Sequence, residues 1–261
     1  MFKTISILAL FIFFNLNVQA QLTAVRDKAP YPFWLNLPSD SVMKTKPPVL
    51  IFLHGKSLSG SNLELVKKYG VIHEMIKGRQ INAIVVAPQV PAGSNWEPDK
   101  LLEVLNYIQK TYATDTARVY VTGMSLGGYG TLHFAGKYPN RVTAAVALCG
   151  GGNPKDASNL SSIPLWIQHG TADRAVSISE SNKIVNAIRQ FDGGPLLTYT
   201  VLNGWDHGDL ERLFRTDALY DWLFKHSKSL AEAEAKPKAT PAPATPATTK
   251  PVPAKPAVKK K

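Results

Sequence analysis

Four stretches of the chain are apolar or nearly so without alternation: residues 49–53 (Val-Leu-Ile-Phe-Leu), 83–87 (Ala-Ile-Val-Val-Ala), 144–148 (Ala-Ala-Val-Ala-Leu) and 164–168 (Pro-Leu-Trp-Ile-Gln). Residues 118–122 read the same way after their leading Arg118. A strand shows such a run when both faces of its sheet are covered. Residues 31–38 add an early strand entered and left through prolines, and residues 197–202 a more alternating one. Between them the apolar positions change to helical spacing, at Leu101, Leu105, Ile108 and Tyr112, then at Ile184, Val185 and Ile188. A last helix is expected to carry Leu210, Leu213, Phe214, Leu219, Trp222 and Leu223. Alternating strand and helix predicts an α/β fold, a mostly parallel central sheet with helices on both faces. In such a sheet the ligand site lies beyond the carboxyl ends of the strands.

The two ends of the chain stand apart from this pattern. Residues 1–20 combine Lys3, an apolar run over 5–14 and the small-residue end Val18-Gln19-Ala20, as a secretory signal peptide does. Asn15 and Asn17 interrupt the run too early for a membrane anchor. Residues 231–261 are Ala, Pro, Thr and Lys with almost no large apolar side chain, and are expected to be disordered. That leaves residues 21–230 as one domain, a size that suits a single large α/β unit.

Charge and cysteine count narrow the function classes. The tail holds seven lysines against Glu232 and Glu234, and the leader holds Lys3, so the ends carry more than half of the formal net charge of +11. The remaining domain is only mildly basic and gives no reason to expect nucleic acid as substrate; the tail is a candidate for weak contact with anionic envelope polymers. Cys149 is the single cysteine, so the domain holds no internal disulfide.

Candidate chemistry centres on Gly123-Met124-Ser125-Leu126-Gly127, placed where a strand-like run gives way to a helix-like one. A serine at the tip of such a turn is pushed into the open, and the flanking glycines leave room for the turn. A serine hydroxyl needs a base within hydrogen-bond reach and a carboxylate to orient that base. Downstream, Asp173 follows the strand ending in His169-Gly170, and His207 follows the last strand. The order Ser, Asp, His suits a hydrolase triad on this kind of sheet. Asp206 and Asp209 flank His207, but a carboxylate on a separate loop orients the ring from behind more readily. His54 and His169 read as supports for their loops. Gly150-Gly151-Gly152 lacks a dinucleotide frame and the histidines lack metal-ligand spacing, so neither a metal nor another cofactor is expected.

Together Leu53-His54-Gly55, Pro88-Gln89 with Trp96, Gly123 to Gly128, Cys149 to Gly152, His169 to Asp173 and His207 resemble the α/β-hydrolase superfamily, over about residues 33–226. Within it the chain is similar to small secreted esterases and peptidases akin to feruloyl esterases and polyhydroxybutyrate depolymerases. The resemblance implies Ser125 as nucleophile, Asp173 as triad acid and His207 as general base. It places the oxyanion hole at the backbone N–H groups of Leu126 and Lys56, although Lys56-Ser57-Leu58-Ser59-Gly60 departs from the small or apolar residues usual in that loop. Trp96, Cys149 and Trp205 are candidates for pocket lining. The expectation is an exported, monomeric serine esterase, periplasmic or extracellular, acting on a small or polymer-linked ester. Residues 90–98 leave little room for a lid, which predicts an open pocket. The alternatives are a secreted serine peptidase of the same fold and an envelope-associated binding protein without catalysis.

Overall fold

The structure, a computed structural model, describes residues 22–191 and 194–229. The leader and the tail read from the sequence lie outside the described residues. The chain runs through β1 (Leu22–Val25), β2 (Phe33–Asn36), α1 (Asp40–Met43), β3 (Val49–Leu53), α2 (Val71–Ile76), β4 (Ile84–Pro88), α3 (Pro98–Thr111) and β5 (Val119–Met124). It continues through α4 (Leu126–Lys137), β6 (Ala144–Leu148), α5 (Ala157–Leu160), β7 (Leu165–Gly170), α6 (Ile178–Arg189), β8 (Leu197–Leu202) and α7 (Asp217–Phe224). The strands form one sheet in the order β1-β2-β4-β3-β5-β6-β7-β8. From β4 to β8 every pairing is parallel, while β1 with β2 and β2 with β4 are antiparallel.

The unbroken apolar runs are explained by two cores, one on each face of the sheet. Val49, Ile51 and Leu53 of β3 join Ile84, Val86, Val119 and Val121 beneath α3 and α6. Their sequence neighbours Leu50 and Phe52 point the other way, with Val85, Tyr120, Val146 and Leu148, toward α2 and α7. Because successive strand residues face opposite sides, a strand covered on both sides must be apolar at every position. Helices α3 and α6 supply one buried stripe each. α3 starts on Pro98, whose fixed φ suits the first helical position, and buries Leu101, Val104, Leu105 and Ile108.

The last helical stretch differs from the expectation of one continuous helix. A 3-10 segment, Asp209–Arg215, is followed by Thr216 in an extended conformation (φ −88°, ψ 140°) before α7 begins. The break lets both halves face inward: Leu210 and Phe214 are buried from the first, Leu219, Tyr220 and Leu223 from the second. The described chain then returns to the start of β5, where Lys228 N donates to Ala117 O at 3.0 Å and the Tyr120 hydroxyl donates to His226 O at 2.6 Å. Among the described residues no helix is long and apolar enough to cross a membrane.

Candidate active site

β3 and β5 lie side by side with Leu53 opposite Gly123. Ser125 alone joins β5 to α4, at φ 59° and ψ −121°, a region that costs a non-glycine residue roughly 1–3 kcal/mol. Crowding forces this geometry. A Cβ on Gly127 would lie 1.8 Å from the carbonyl oxygen of Leu53, and one on Gly123 would lie 2.4 Å from that of Gly127. Only glycines let the new helix start so close to the neighbouring strand. The turn is tied down by Ser125 N donating to Leu148 O at 2.9 Å. Leu126 is the first residue of α4, so its N–H has no acceptor within the helix and sits at the positive end of the dipole.

A second such amide is brought alongside by the loop after β3. Lys56 opens a short 3-10 turn, Lys56–Leu58, and its N–H likewise has no acceptor within that turn. The loop passes close to Ser125: a Cβ on Gly55 would lie 3.5 Å from the Ser125 Cβ. His54 is the clamp that sets its path. Its Nε2 accepts from Val90 N at 3.3 Å, which leaves the ring proton on Nδ1 to be donated to Gly55 O at 2.7 Å. Burial drives this imidazole to a pKa of about 4, against the opposing bond to Gly55, so it is neutral and holds the loop. Trp96 adds its Nε1–H to His54 O at 3.2 Å, with the two rings 5.0 Å apart.

Asp173 and His207 stand on neighbouring loops at the ends of β7 and β8. These strands pair in parallel up to Gly170 and Leu202, and the pairing carries into the loops through Thr171 N to Leu202 O and Ala172 N to Trp205 O, each 3.0 Å. His207 Nδ1 consequently lies 2.8 Å from Asp173 Oδ2. The other carboxylate oxygen accepts from Ala175 N at 2.9 Å and Val176 N at 2.8 Å. Burial pushes the Asp173 carboxyl up, but the donors from Val176, His207 and Ala175 outweigh it and hold the group below the ordinary carboxylate range. His169 underpins this loop. Its Nε2 is 3.0 Å from Val176 O and 3.5 Å from Asp173 Oδ2, and its Nδ1 is 2.7 Å from Ser181 Oγ. Asp206 and Asp209 are occupied with each other, their side chains accepting one another's backbone N–H at 3.0 and 3.1 Å.

Ser125 and His207 open together into a cleft of about 550 Å³, walled by Gly55, Lys56, Tyr69, Leu126, Tyr129 and Val176 among others. The arrangement offers a half-buried hydroxyl lining the cleft, an imidazole oriented by a carboxylate, and uncommitted amides at two helix starts. A group so disposed can attack a carbonyl carbon while the amides face the oxygen.

Not every expected lining residue faces this cleft. Cys149 is fully buried, packs with the core under the site, and places its Sγ within 4.8 Å of both an Asp173 oxygen and a His207 nitrogen. Burial, with the Asp173 charge adding to it, pushes its thiol strongly up, so it is a protonated neighbour of the acid and not part of the cleft wall. Trp205 turns away as well, its ring packing on the α7 side under the Arg212 guanidinium at 5.4 Å. Its backbone crowds Gly170, where a Cβ would meet the Trp205 carbonyl oxygen at 2.2 Å. Trp96 lies at the edge of an adjoining hollow of about 410 Å³ shared with Asn95, Leu126, Tyr129, Gly130 and His133. Sequence reasoning passed over Tyr69, Tyr129 and Glu211, all of which line the main cleft. Tyr129 carried a usable signal, one helical turn after Ser125; Tyr69 and Glu211 carried none.

The Esterase family model matches residues 27–216 of the chain, a span that includes every residue of this site. A bifunctional acetylxylan esterase/xylanase of Neocallimastix patriciarum is 31% identical over 105 residues, covering 37% of this chain and 16% of that protein. A thermostable esterase of known structure is similar at a TM-score of 0.67 and 27% identity, over 79% of this chain and 63% of that one. The feruloyl esterase module from Clostridium thermocellum shares the fold at a TM-score of 0.62 and 16% identity, over 79% and 89% of the two chains. The chain thus spans a small part of the bifunctional relative and about two thirds of the thermostable esterase.

Proposed function

The chain belongs to the Esterase family, and from that premise we propose that it is a serine carboxylic-ester hydrolase acting through an acyl-enzyme on Ser125. The observation that carries this reading is the hydrogen bond from His207 Nδ1 to Asp173 beside a serine held at φ 59° in the same cleft. With Nδ1 committed to Asp173, the Nε2 of His207 is the nitrogen left to take the Ser125 proton. Oγ then attacks the ester carbonyl carbon, and the negative charge passes to the carbonyl oxygen, faced by the amides of Leu126 and Lys56. His207 returns the proton to the leaving alcohol as the C–O bond breaks, and Asp173 stabilises the imidazolium in between. Water enters by the same route in reverse: it gives a proton to His207, adds to the acyl carbon, and Ser125 leaves protonated.

The substrate reading is a short acyl group on a small or polymer-linked alcohol, because the cleft is open and residues 90–98 are too few to roof it. We further read residues 21–230 as the catalytic domain and residues 1–20 as an export leader, which would place the enzyme in the periplasm or outside the cell. An organophosphonate probe tests the chemistry. One serine should be labelled, and Ser125→Ala should lose both labelling and hydrolysis of short aryl esters. A wild-type chain that neither reacts with the probe nor turns over these esters would refute the reading.

A further inference from the structure

We propose that Tyr69 is a catalytic residue, a third donor that places its phenolic O–H on the oxyanion beside the amides of Lys56 and Leu126; this rests on the ester-hydrolase reading above. Tyr69 sits between a 3-10 turn (Leu63–Lys67) and α2, and lines the cleft together with Ser125. Gly55 lies between it and the serine. A Cβ built on Gly55 would be 2.8 Å from the Tyr69 hydroxyl oxygen and 3.5 Å from the Ser125 Cβ, so both residues border the same small volume. That volume lies next to Lys56, the residue that follows Gly55.

The hydrogen-bond account leaves the phenol with a proton to give. Tyr69 accepts from Gly55 N at 3.1 Å, and its oxygen is 3.1 Å from Ser57 Oγ. Ser57 is exposed, so its hydroxyl is free to rotate and donate to the phenol's remaining lone pair. The Tyr69 proton then has no partner in that cluster and is available to the cleft. Two donors into one phenol oxygen also polarise its O–H and make it the stronger donor. The amide of Gly55, spent on Tyr69, would by this route reach the substrate oxygen through the phenol. Burial raises the Tyr69 pKa against the bonds from Ser57 and Gly55, which keeps the group protonated where an esterase works. Nothing is consumed in this role: the O–H bond stays intact while charge builds on the carbonyl oxygen.

Tyr69→Phe keeps the ring and removes the hydroxyl. On a short aryl ester, kcat should fall about 100-fold, the scale for loss of one oxyanion donor, with KM changed less than twofold. Affinity for an alkylboronic acid, which forms a tetrahedral adduct on the serine, should fall in parallel. Since phenylalanine also frees the Gly55 amide, fluorotyrosines placed at position 69 separate donation from anchoring. They retain both hydroxyl contacts while making the phenol more acidic, and kcat measured below each phenol's ionisation should rise along the series. A Tyr69→Phe enzyme within threefold of wild type, or a flat fluorotyrosine series, overturns the inference. A wild-type chain inert to both the organophosphonate and aryl esters overturns the hydrolase reading, and this inference with it.

Discussion

The Nδ1 of His207 lies 2.8 Å from Oδ2 of Asp173, whose other oxygen is fixed by the amides of Ala175 and Val176. The carboxylate therefore cannot rotate to seek another partner, and the imidazole inherits its orientation. Asp173→Asn should keep the two backbone bonds through Oδ1 but turn an NH₂ group toward His207, driving the ring into the wrong tautomer. The expected result is a folded protein whose kcat on an aryl ester is lower by about 10⁴-fold, read by steady-state kinetics alongside circular dichroism.

At the turn that holds Ser125, the limiting contact is backbone against backbone. A Cβ on Gly127 would fall 1.8 Å from Leu53 O, which belongs to a central strand and cannot swing aside. Gly127→Ala should destabilise the fold by about 2 kcal/mol or more, as overpacking does, and should slow organophosphonate labelling because the helix start is pushed away from β3. Urea unfolding and labelling rates report the two effects separately.

His54 makes stability depend on pH with a defined sign. In the folded chain its ring resists protonation down to about 4, whereas its ordinary value is 6.5. Unfolding therefore takes up a proton between these limits: stability is full above 6.5 and falls as pH drops toward 4, by about 3 kcal/mol over the whole window. Burial lowers His133, His169 and His226 as well, so they add to the same slope. His54→Asn should be less stable than wild type near neutrality yet lose less stability on acidification. An unchanged slope of urea midpoint against pH would rule this out.

Trp96 is 3% exposed and gives its indole N–H to His54 O. Trp96→Phe keeps much of the packing but leaves that carbonyl short of a donor, a loss of about 1 kcal/mol. A lowered midpoint in thermal unfolding checks this.

How far the sequence could be read depended on whether a signal was local. The strands at Val49–Leu53, Ala144–Leu148 and Leu197–Leu202 appear where the apolar pattern places them, because burial on one or two faces dictates residue type position by position. The pairing of Asp173 with His207 was legible from chain order and strand ends, since adjacent parallel strands deliver adjacent loops. Side-chain direction was not. Cys149 and Trp205 also follow strands, but one points into the core below the acid and the other toward the α7 side, a choice made by packing on the far face of the sheet. Tyr69 and Glu211 reach the cleft from segments of 3-10 and irregular backbone, where no period marks which way a residue faces. The edge strand Leu22–Val25 escaped for a related reason: it is four residues long and only partly covered, so it shows no apolar run.

The bond from Lys228 N to Ala117 O fastens the end of the described chain at the amino end of β5, whereas Ser125 stands at its carboxyl end. Six residues of extended strand separate the two, about 20 Å at 3.3 Å per residue. A fusion partner or a solid support joined after residue 229 would leave by the pole of the domain opposite the cleft. Immobilised this way, the domain would turn its open cleft outward, away from the support.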